Sequence, residues 1–408
     1  MKKPKIRFKG FTETWEQRKL GNIMEVASVK RIHRKDWTDS GVRFLRARDI
    51  VSHFKNEKQN DCLYISKEKY DECSALSGKV SVGDLLVTGV GTIGIPYLVN
   101  DLNPIYFKDG NIIWFKNGSK INGFFLYYSF IGNEIQNFIN VLSGTGTVGT
   151  YTIESGKKTS ISLPDKLEQQ KIGNFLKHLD HLITLHQRKC ENLKKLKKFM
   201  LQKLFPQNGE NVPKVRFLNF TDTWEQRKLE TYLQEYNEVT STNNQYPALT
   251  SSRKGLFLQT DYFSGNQVAS ENNIGYNVVP YGYFTYRHMS DDEVFHFNLN
   301  DIVDKGIVST LYPVFTTSKE LDSKYLQYQL NYGEEFSRFA RLQKQGGSRT
   351  YMYLNKLRKL SLTMPNTLDE QKEISAILST LDHFITLHQS KCDKLKEVKK
   401  YMLQNMFI

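Results

Sequence analysis

Apolar residues recur at three- and four-residue steps through two long stretches of the chain. In the first they run Ile172, Phe175, Leu179, Leu182, His186, Lys189, Leu193, Leu196 and Met200. In the second they run Ile374, Ile377, Leu381, Phe384, His388, Lys391, Leu395, Val398 and Met402. A seam sustained at that spacing predicts two coiled-coil helices. Each follows a Pro and a short polar residue, Pro164-Asp165 and Pro365-Asn366, which suits a helix start. At roughly 40 residues, each would be about 60 Å long. One such helix cannot bury its stripe alone, so the expected partner is the other. The seam turns polar at its middle, with His186 and Lys189 in one helix and His388 and Lys391 in the other. Two readings stay open there: a polar layer that fixes register, or a locally wet gap. A metal site, the third option, is disfavoured, since a lone His per helix rarely ligates.

The two stretches are copies of one another. DHLITLHQRKCENLKKLKKFMLQKLF at 180–205 returns as DHFITLHQSKCDKLKEVKKYMLQNMF at 382–407, with 17 of 26 positions identical. A second pair precedes them: PKIRFKGFTETWEQRKL at 4–20 returns as PKVRFLNFTDTWEQRKL at 213–229, with 13 of 17 identical. Connectivity favours an antiparallel helix pair, which brings the end of the first helix to the start of the second. The segment between them then sits at one end of the pair, the preceding segment at the other, and a direct repeat becomes a pseudo-twofold arrangement.

The segments between the copies, about 21–163 and 230–364, share little identity but the same order of parts. Each has early strand-like stretches (VRFLRARDIV, YPALTSS) and a Gly-led strand (VGDLLVT at 82–88, YGYFTYR at 281–287). Next come paired apolar strands, at 105–116 across an Asp109-Gly110 turn and at 306–317. An aromatic-rich helix, a Gly-rich polar loop and a last strand complete each. The expected class is α+β: two α/β domains, 1–163 and 208–364, separated by long helices at 164–207 and 365–408 that form an antiparallel intramolecular coiled coil with a pseudo-twofold internal repeat.

Composition adds a polyanionic partner. Lys and Arg number 57 against 43 Asp and Glu, a net charge of +14. That favours nucleic acid first and an anionic membrane second. No apolar run of about 18 residues is present to span a bilayer, and the basic start lacks a signal peptide's apolar core. The four cysteines, Cys62, Cys73, Cys190 and Cys392, have no C-x-x-C or zinc spacing and suit buried thiols in a reducing compartment. Gly89, Gly91 and Gly94 spell G-x-G-x-x-G, but Ile95-Pro96 follows where the dinucleotide fingerprint needs a helix, so a hairpin turn is expected. There is no P-loop, no N-P-P-[YF] methyltransferase motif and no Ser/His/Asp arrangement. Pro164, Asp165, Glu168 and Lys171 do not have nuclease spacing. The chain carries no visible catalytic engine.

Two unlike domains alternating with two like helices resemble the specificity subunit (HsdS) of type I restriction–modification enzymes. TWEQRKL at 14–20 and 223–229, FLRARDI at 44–50, GDLLVTGVGTIG at 83–94 and the LDH-ITLHQ-KC helices are similar to that family's segments, over essentially the whole chain. The resemblance implies a non-catalytic, cytoplasmic subunit with two target-recognition domains, each reading one half of a split, asymmetric DNA site. The helices would fix the spacer and dock two modification subunits that methylate adenine with S-adenosylmethionine. Two restriction subunits would add ATP- and Mg2+-dependent translocation and cleavage. This chain itself would bind no cofactor or metal. A competing reading is a coiled-coil scaffold that binds proteins through its α/β domains. A self-sufficient enzyme is disfavoured by the absent motifs.

Phosphate affinity should come from Lys and Arg, and specificity from a few side chains at base edges. In the first domain the candidates are Lys30, Arg31, Arg34, Arg46, Arg48, Thr145, Thr147 and Tyr151. In the second they are Arg253, Lys254, Arg287, Arg338, Arg341, Gln343, Lys344, Gln345, Arg349 and Tyr351. The helix-pair core is expected at Leu179, Leu182, His186, Lys189 and Leu193 against Leu381, Phe384, His388, Lys391 and Leu395.

Overall fold

A computed structural model describes residues 3–143, 149–207, 209–266, 268–344 and 348–408. The two stretches with apolar periodicity are helices of 38 residues each, Lys166–Lys203 and Leu368–Asn405, about 57 Å long at 1.5 Å per residue. The side chain of Asp165 accepts the Glu168 backbone N–H at 2.8 Å and so starts the first. The chain divides into two compact units: Met1–Gln187 with Gln389–Ile408, and Arg188–His388. Each unit therefore holds one α/β domain, the near half of one long helix and the far half of the other.

Within the first unit the helix halves run antiparallel. Ile172, Leu176 and Leu179 share a core with Met406, and Leu395, Met402 and Phe407 pack against it. In the second unit Ile374 and Leu378 share a core with Leu204, flanked by Met200 and Leu201.

The phase of the seam differs from the expected one. The buried apolar side chains are Ile172, Leu176, Leu179, Ile183 and Cys190 on the first helix and Ile374, Leu378, Leu381 and Cys392 on the second. From Ile172 and from Ile374 the first step is four residues, not three. Lys189 and Lys391 are therefore exposed, and Phe384 is 43% exposed. Leu182, His186, Leu193, His388 and Leu395 are half-buried, while Leu179 and Leu381 are in the core. The doublets Phe175-Leu176 and Leu182-Ile183 satisfy either phase. The seam resolves at the pair Lys189-Cys190, where Cys buries at far lower cost than Lys.

The α/β part of the first unit has two four-stranded sheets. One runs Glu25–Ala27, Ile112–Lys116, Leu85–Thr88, Pro96–Leu98, all antiparallel. The other runs Trp37–Thr38, Leu63–Ile65, Val42–Leu45, Ile105–Phe107, the last pair parallel. The second unit repeats the first of these as Leu233–Glu235, Val314–Thr317, Phe284–Thr285, Asn298–Leu299, while its outer strands pair differently. The glycines at 89–94 lie in a β-hairpin between Leu85–Thr88 and Pro96–Leu98, as expected.

The Asp109-Gly110 turn does not close a hairpin. Ile112–Lys116 has both edges occupied, by Glu25–Ala27 and Leu85–Thr88. Ile105–Phe107 therefore pairs in the other sheet, with Val42–Leu45. The same holds in the second unit, where Val314–Thr317 is flanked on both sides and Lys305–Val308 pairs with Asn277–Pro280. Each aromatic-rich helix is two helices: Gly123–Ile131 and Asn133–Ser143, then Ser323–Tyr332 and Glu334–Leu342. The second break requires glycine, since a Cβ at Gly333 would lie 2.4 Å from the Gln329 carbonyl oxygen.

Candidate nucleic-acid interface

The repeated segments build the frame that carries each α/β domain. In the first unit Arg7 grips Glu168 through Nε and Nη2 at 2.6 and 2.7 Å, and Trp15 Nε1 donates to the same carboxylate at 3.2 Å. In the second unit Arg216 grips Glu370 at 2.7 and 2.9 Å, with Trp224 Nε1 at 3.1 Å. The Glu168 side chain is fully buried and that of Glu370 2% exposed. Each carboxylate raises the pKa of its arginine through the hydrogen bond. One residue on, Gln169 and Gln371 accept the backbone N–H of Asn122 and Asp322, at 3.0 and 2.9 Å. Those two residues cap the aromatic helices through their side chains. The strand pairs Glu16–Lys19 with Ser160–Leu163 and Glu225–Lys228 with Ser361–Met364 close the frame.

A second repeated cluster ties each α/β domain to both helices. Tyr128 donates to Asp180 at 2.7 Å, and Lys399 reaches the same carboxylate at 2.6 Å. Tyr328 donates to Asp382 at 2.7 Å, and Lys197 reaches it at 2.6 Å. The Asp and Lys change helices between the two units, as antiparallel copies require. Burial, then Asp180, pushes the Tyr128 phenol far above its ordinary value, and burial does the same to Tyr328. Both hydroxyls therefore remain donors.

The candidate DNA contacts separate on this frame. In the first unit Lys30, Arg31, Arg34 and Arg48 are exposed, with Arg31 bonded to Asp109 at 2.7 Å and Arg48 paired with Asp61. Arg46 is not a surface cation. It is 17% exposed, bonds Asp49 at 2.8 and 2.9 Å and donates to the Asp61 carbonyl at 2.7 Å, which holds the start of the helix Ala47–Phe54. Tyr151 is 2% exposed with its hydroxyl 2.5 Å from Thr159, so it packs the core rather than meeting DNA. Thr145 and Thr147 lie outside the described residues.

In the second unit Lys254, Arg287 and Arg341 are exposed, and Gln343 is half-buried at the end of a helix. Arg338 is exposed but lines a polar cavity of about 670 Å³ with Glu210, Glu225, Glu334 and Glu335, poor company for a phosphate. Gln345 lies outside the described residues. Arg253, Lys344 and Arg349 converge on one turn. Arg349 Nε bonds Asp291 at 2.8 Å, Arg253 Nη1 bonds Asp292 at 2.7 Å, and Lys344 bonds Glu293 at 2.5 Å. The bond from Arg253 holds the Asp292 carboxyl well below the usual carboxylate range. Tyr351 stacks on Tyr353 with ring centroids 5.9 Å apart, and Tyr353 stacks on His288 at 5.0 Å. Sequence reasoning missed the acidic turn and Tyr353. Their signal was the run Asp291-Asp292-Glu293 and the alternation Arg349, Tyr351, Tyr353.

The arrangement is a doubled frame bearing two unlike basic surfaces. A model of the type I restriction–modification DNA specificity domain matches residues 12–195 and 296–397. The chain belongs to that family. A putative type I restriction enzyme specificity subunit of Haemophilus influenzae is 29% identical over 168 residues, 40% of each chain. The MjaIX specificity subunit of Methanocaldococcus jannaschii is 26% identical over 45% of this chain and 41% of its own length. The chain thus spans about two fifths of the length of these two relatives. The putative MjaX specificity subunit of the same archaeon is 21% identical over 96% of this chain and 92% of its own. The crystal structure of the type I restriction–modification S subunit from M. genitalium covers 100% of this chain and 99% of its own, at a TM-score of 0.63 and 13% identity, and so shares the fold. Among the described residues, no group of three His, Cys, Asp or Glu could hold a metal ion. No described helix is long and apolar enough to cross a membrane.

Proposed function

We propose that this type I specificity subunit is a non-catalytic reader of double-stranded DNA, each recognition domain taking one half of a split, asymmetric site. The observation that carries the reading is the contrast between frame and surface. The Arg–Glu–Trp grip and the Tyr–Asp–Lys cluster recur with distances equal to within 0.2 Å. The charged surfaces that they carry share no residue pattern. Two domains held identically but reading different bases need that combination. The long helices set the unspecific spacer between half-sites.

Docking of two modification subunits is supported by a duplicated apolar face. Leu196 and Phe199 of the second unit are 46% and 49% exposed, and their copies Val398 and Tyr401 in the first are 41% and 56% exposed. Lysines border both, Lys194, Lys195 and Lys198 in one and Lys396 and Lys400 in the other. Such a face fits an amphipathic helix with acidic flanks, and two faces take two copies. The modification subunits supply adenine methylation with S-adenosylmethionine, and restriction subunits supply ATP- and Mg2+-dependent cleavage. Such an assembly works in the cytoplasm, on the chromosome.

Binding by the chain with its modification partner tests this. Affinity for one bipartite duplex should fall steeply between 50 and 200 mM salt, by about 10³-fold or more if six or more phosphates are neutralised. Salt-independent binding, or equal binding to every duplex, would contradict it.

A further inference from the structure

The exposed end of one short ladder in the second unit collects groups that the frame does not use. Met289 pairs with Tyr351 and Ser290 with Thr350 in antiparallel register. The next residues in that register are Asp291 and Arg349, so their ion pair is a cross-strand neighbour fixed by the ladder. Alternation then places side chains on two faces of the segment 349–353. Thr350 and Met352 are buried, each at 2% exposure or less, while Arg349, Tyr351 and Tyr353 are exposed. The two tyrosine rings lie within 11° of parallel. The result is a strip of one guanidinium and two stacked rings on a rigid edge.

The two arginines at the acidic turn are held in opposite ways. Asp292 occupies the Nη1/Nη2 fork of Arg253 and so conceals it. Asp291 takes Arg349 at Nε, which orients the guanidinium and leaves that fork without a carboxylate, with the Tyr351 phenol beside it. The turn is itself fixed, since Ser290 Oγ donates to Asp292 at 2.8 Å. A guanidinium fixed in place with its fork presented matches the O6 and N7 acceptors of guanine in the major groove. Orientation beforehand also lowers the ordering cost of binding.

We propose that Arg349, positioned by Asp291, reads a guanine in the half-site of the second recognition domain, with Tyr351 and Tyr353 packed against the groove edge of the neighbouring base pair. This rests on the DNA-reading function proposed above. Arg253, its fork occupied, does not read a base until Asp292 releases it.

The test uses the full chain assembled with its modification partner and duplexes permuted one base pair at a time. The wild-type complex should prefer G·C at one position of the second half-site, on the order of 10- to 100-fold. Arg349→Lys keeps the charge but not the planar fork, and should cut that preference to about threefold or less. Preferences elsewhere in that half-site and throughout the first should persist. Asp291→Asn should give an intermediate loss at the same position. Uniform weakening of all duplexes, as for a phosphate contact, would overturn the inference. So would an unchanged preference, or loss at every position of the second half-site, which marks a structural role. A wild-type complex with no bipartite preference would overturn the DNA-reading function itself.

Discussion

Glu168 should be the costliest single side chain to remove from the frame of the first unit. Its carboxylate is fully buried and takes two hydrogen bonds from Arg7 and one from Trp15. Glu168→Ala leaves the Arg7 guanidinium, 13% exposed, and the Trp15 indole N–H without their acceptor. Stranding one partner of a buried pair costs about 3–5 kcal/mol. In a unit of roughly 200 residues each kcal/mol moves Tm by about 2–4 °C, so the transition should fall by about 6–20 °C. Scanning calorimetry of the full chain measures this, and Glu370→Ala should produce a matching loss in the second unit, where the geometry is repeated. The pair Arg7→Met with Glu168→Leu should cost less than the two single changes added, by about 1–3 kcal/mol, because nothing charged is then stranded. A loss below about 1 kcal/mol for Glu168→Ala, as for an exposed bridge, or strict additivity in the double variant, would refute the account of the frame.

Lys197→Met and Lys399→Met should have equal effects, about 1 kcal/mol or less each, since the aspartates they reach are 40% and 36% exposed; urea unfolding of the two variants checks the equality. Among the four thiols Cys62 is half-exposed and Cys73, Cys190 and Cys392 are buried, so a thiol reagent should label Cys62 first and the others only on unfolding. Burial holds His296 below its ordinary pKa, with Arg253 and Lys197 adding to the effect. The unfolded chain therefore binds that proton first as pH falls. Stability should be flat above about pH 6.5 and decline below it until the folded group also protonates; His296→Gln should flatten that slope in denaturant titrations.

The long helices and the doubling were legible in the sequence because both signals are local: periodicity within a segment and identity between segments. The seam's phase was not, because Phe175-Leu176 and Leu182-Ile183 offer two apolar residues where one is buried. The hairpin at residues 89–94 was legible from its glycines and Pro96. The false hairpin at Asp109-Gly110 carried an equally good local signal, but Ile112–Lys116 had already filled both edges. At the surface, residue type announced the cations but not their partners. Arg46 looks like Arg48 in sequence, yet Asp49 and the Asp61 carbonyl draw it inward. Tyr151 and Tyr351 look equivalent, yet one is 2% and the other 37% exposed. The grouping of Arg253, Lys344 and Arg349 on residues 291–293 depends on contacts across 39 to 58 positions of chain.

The most direct test of two unlike readers on one repeated frame is a genome-wide map of methylated adenine in cells expressing this chain with its modification partner. It should show a single motif of two different half-sites separated by a fixed unspecific spacer, and exchange of residues 21–163 for another family member's segment should rewrite one half only. An unbroken motif, a change in both halves after that exchange, or no methylation dependent on the chain would contradict the account.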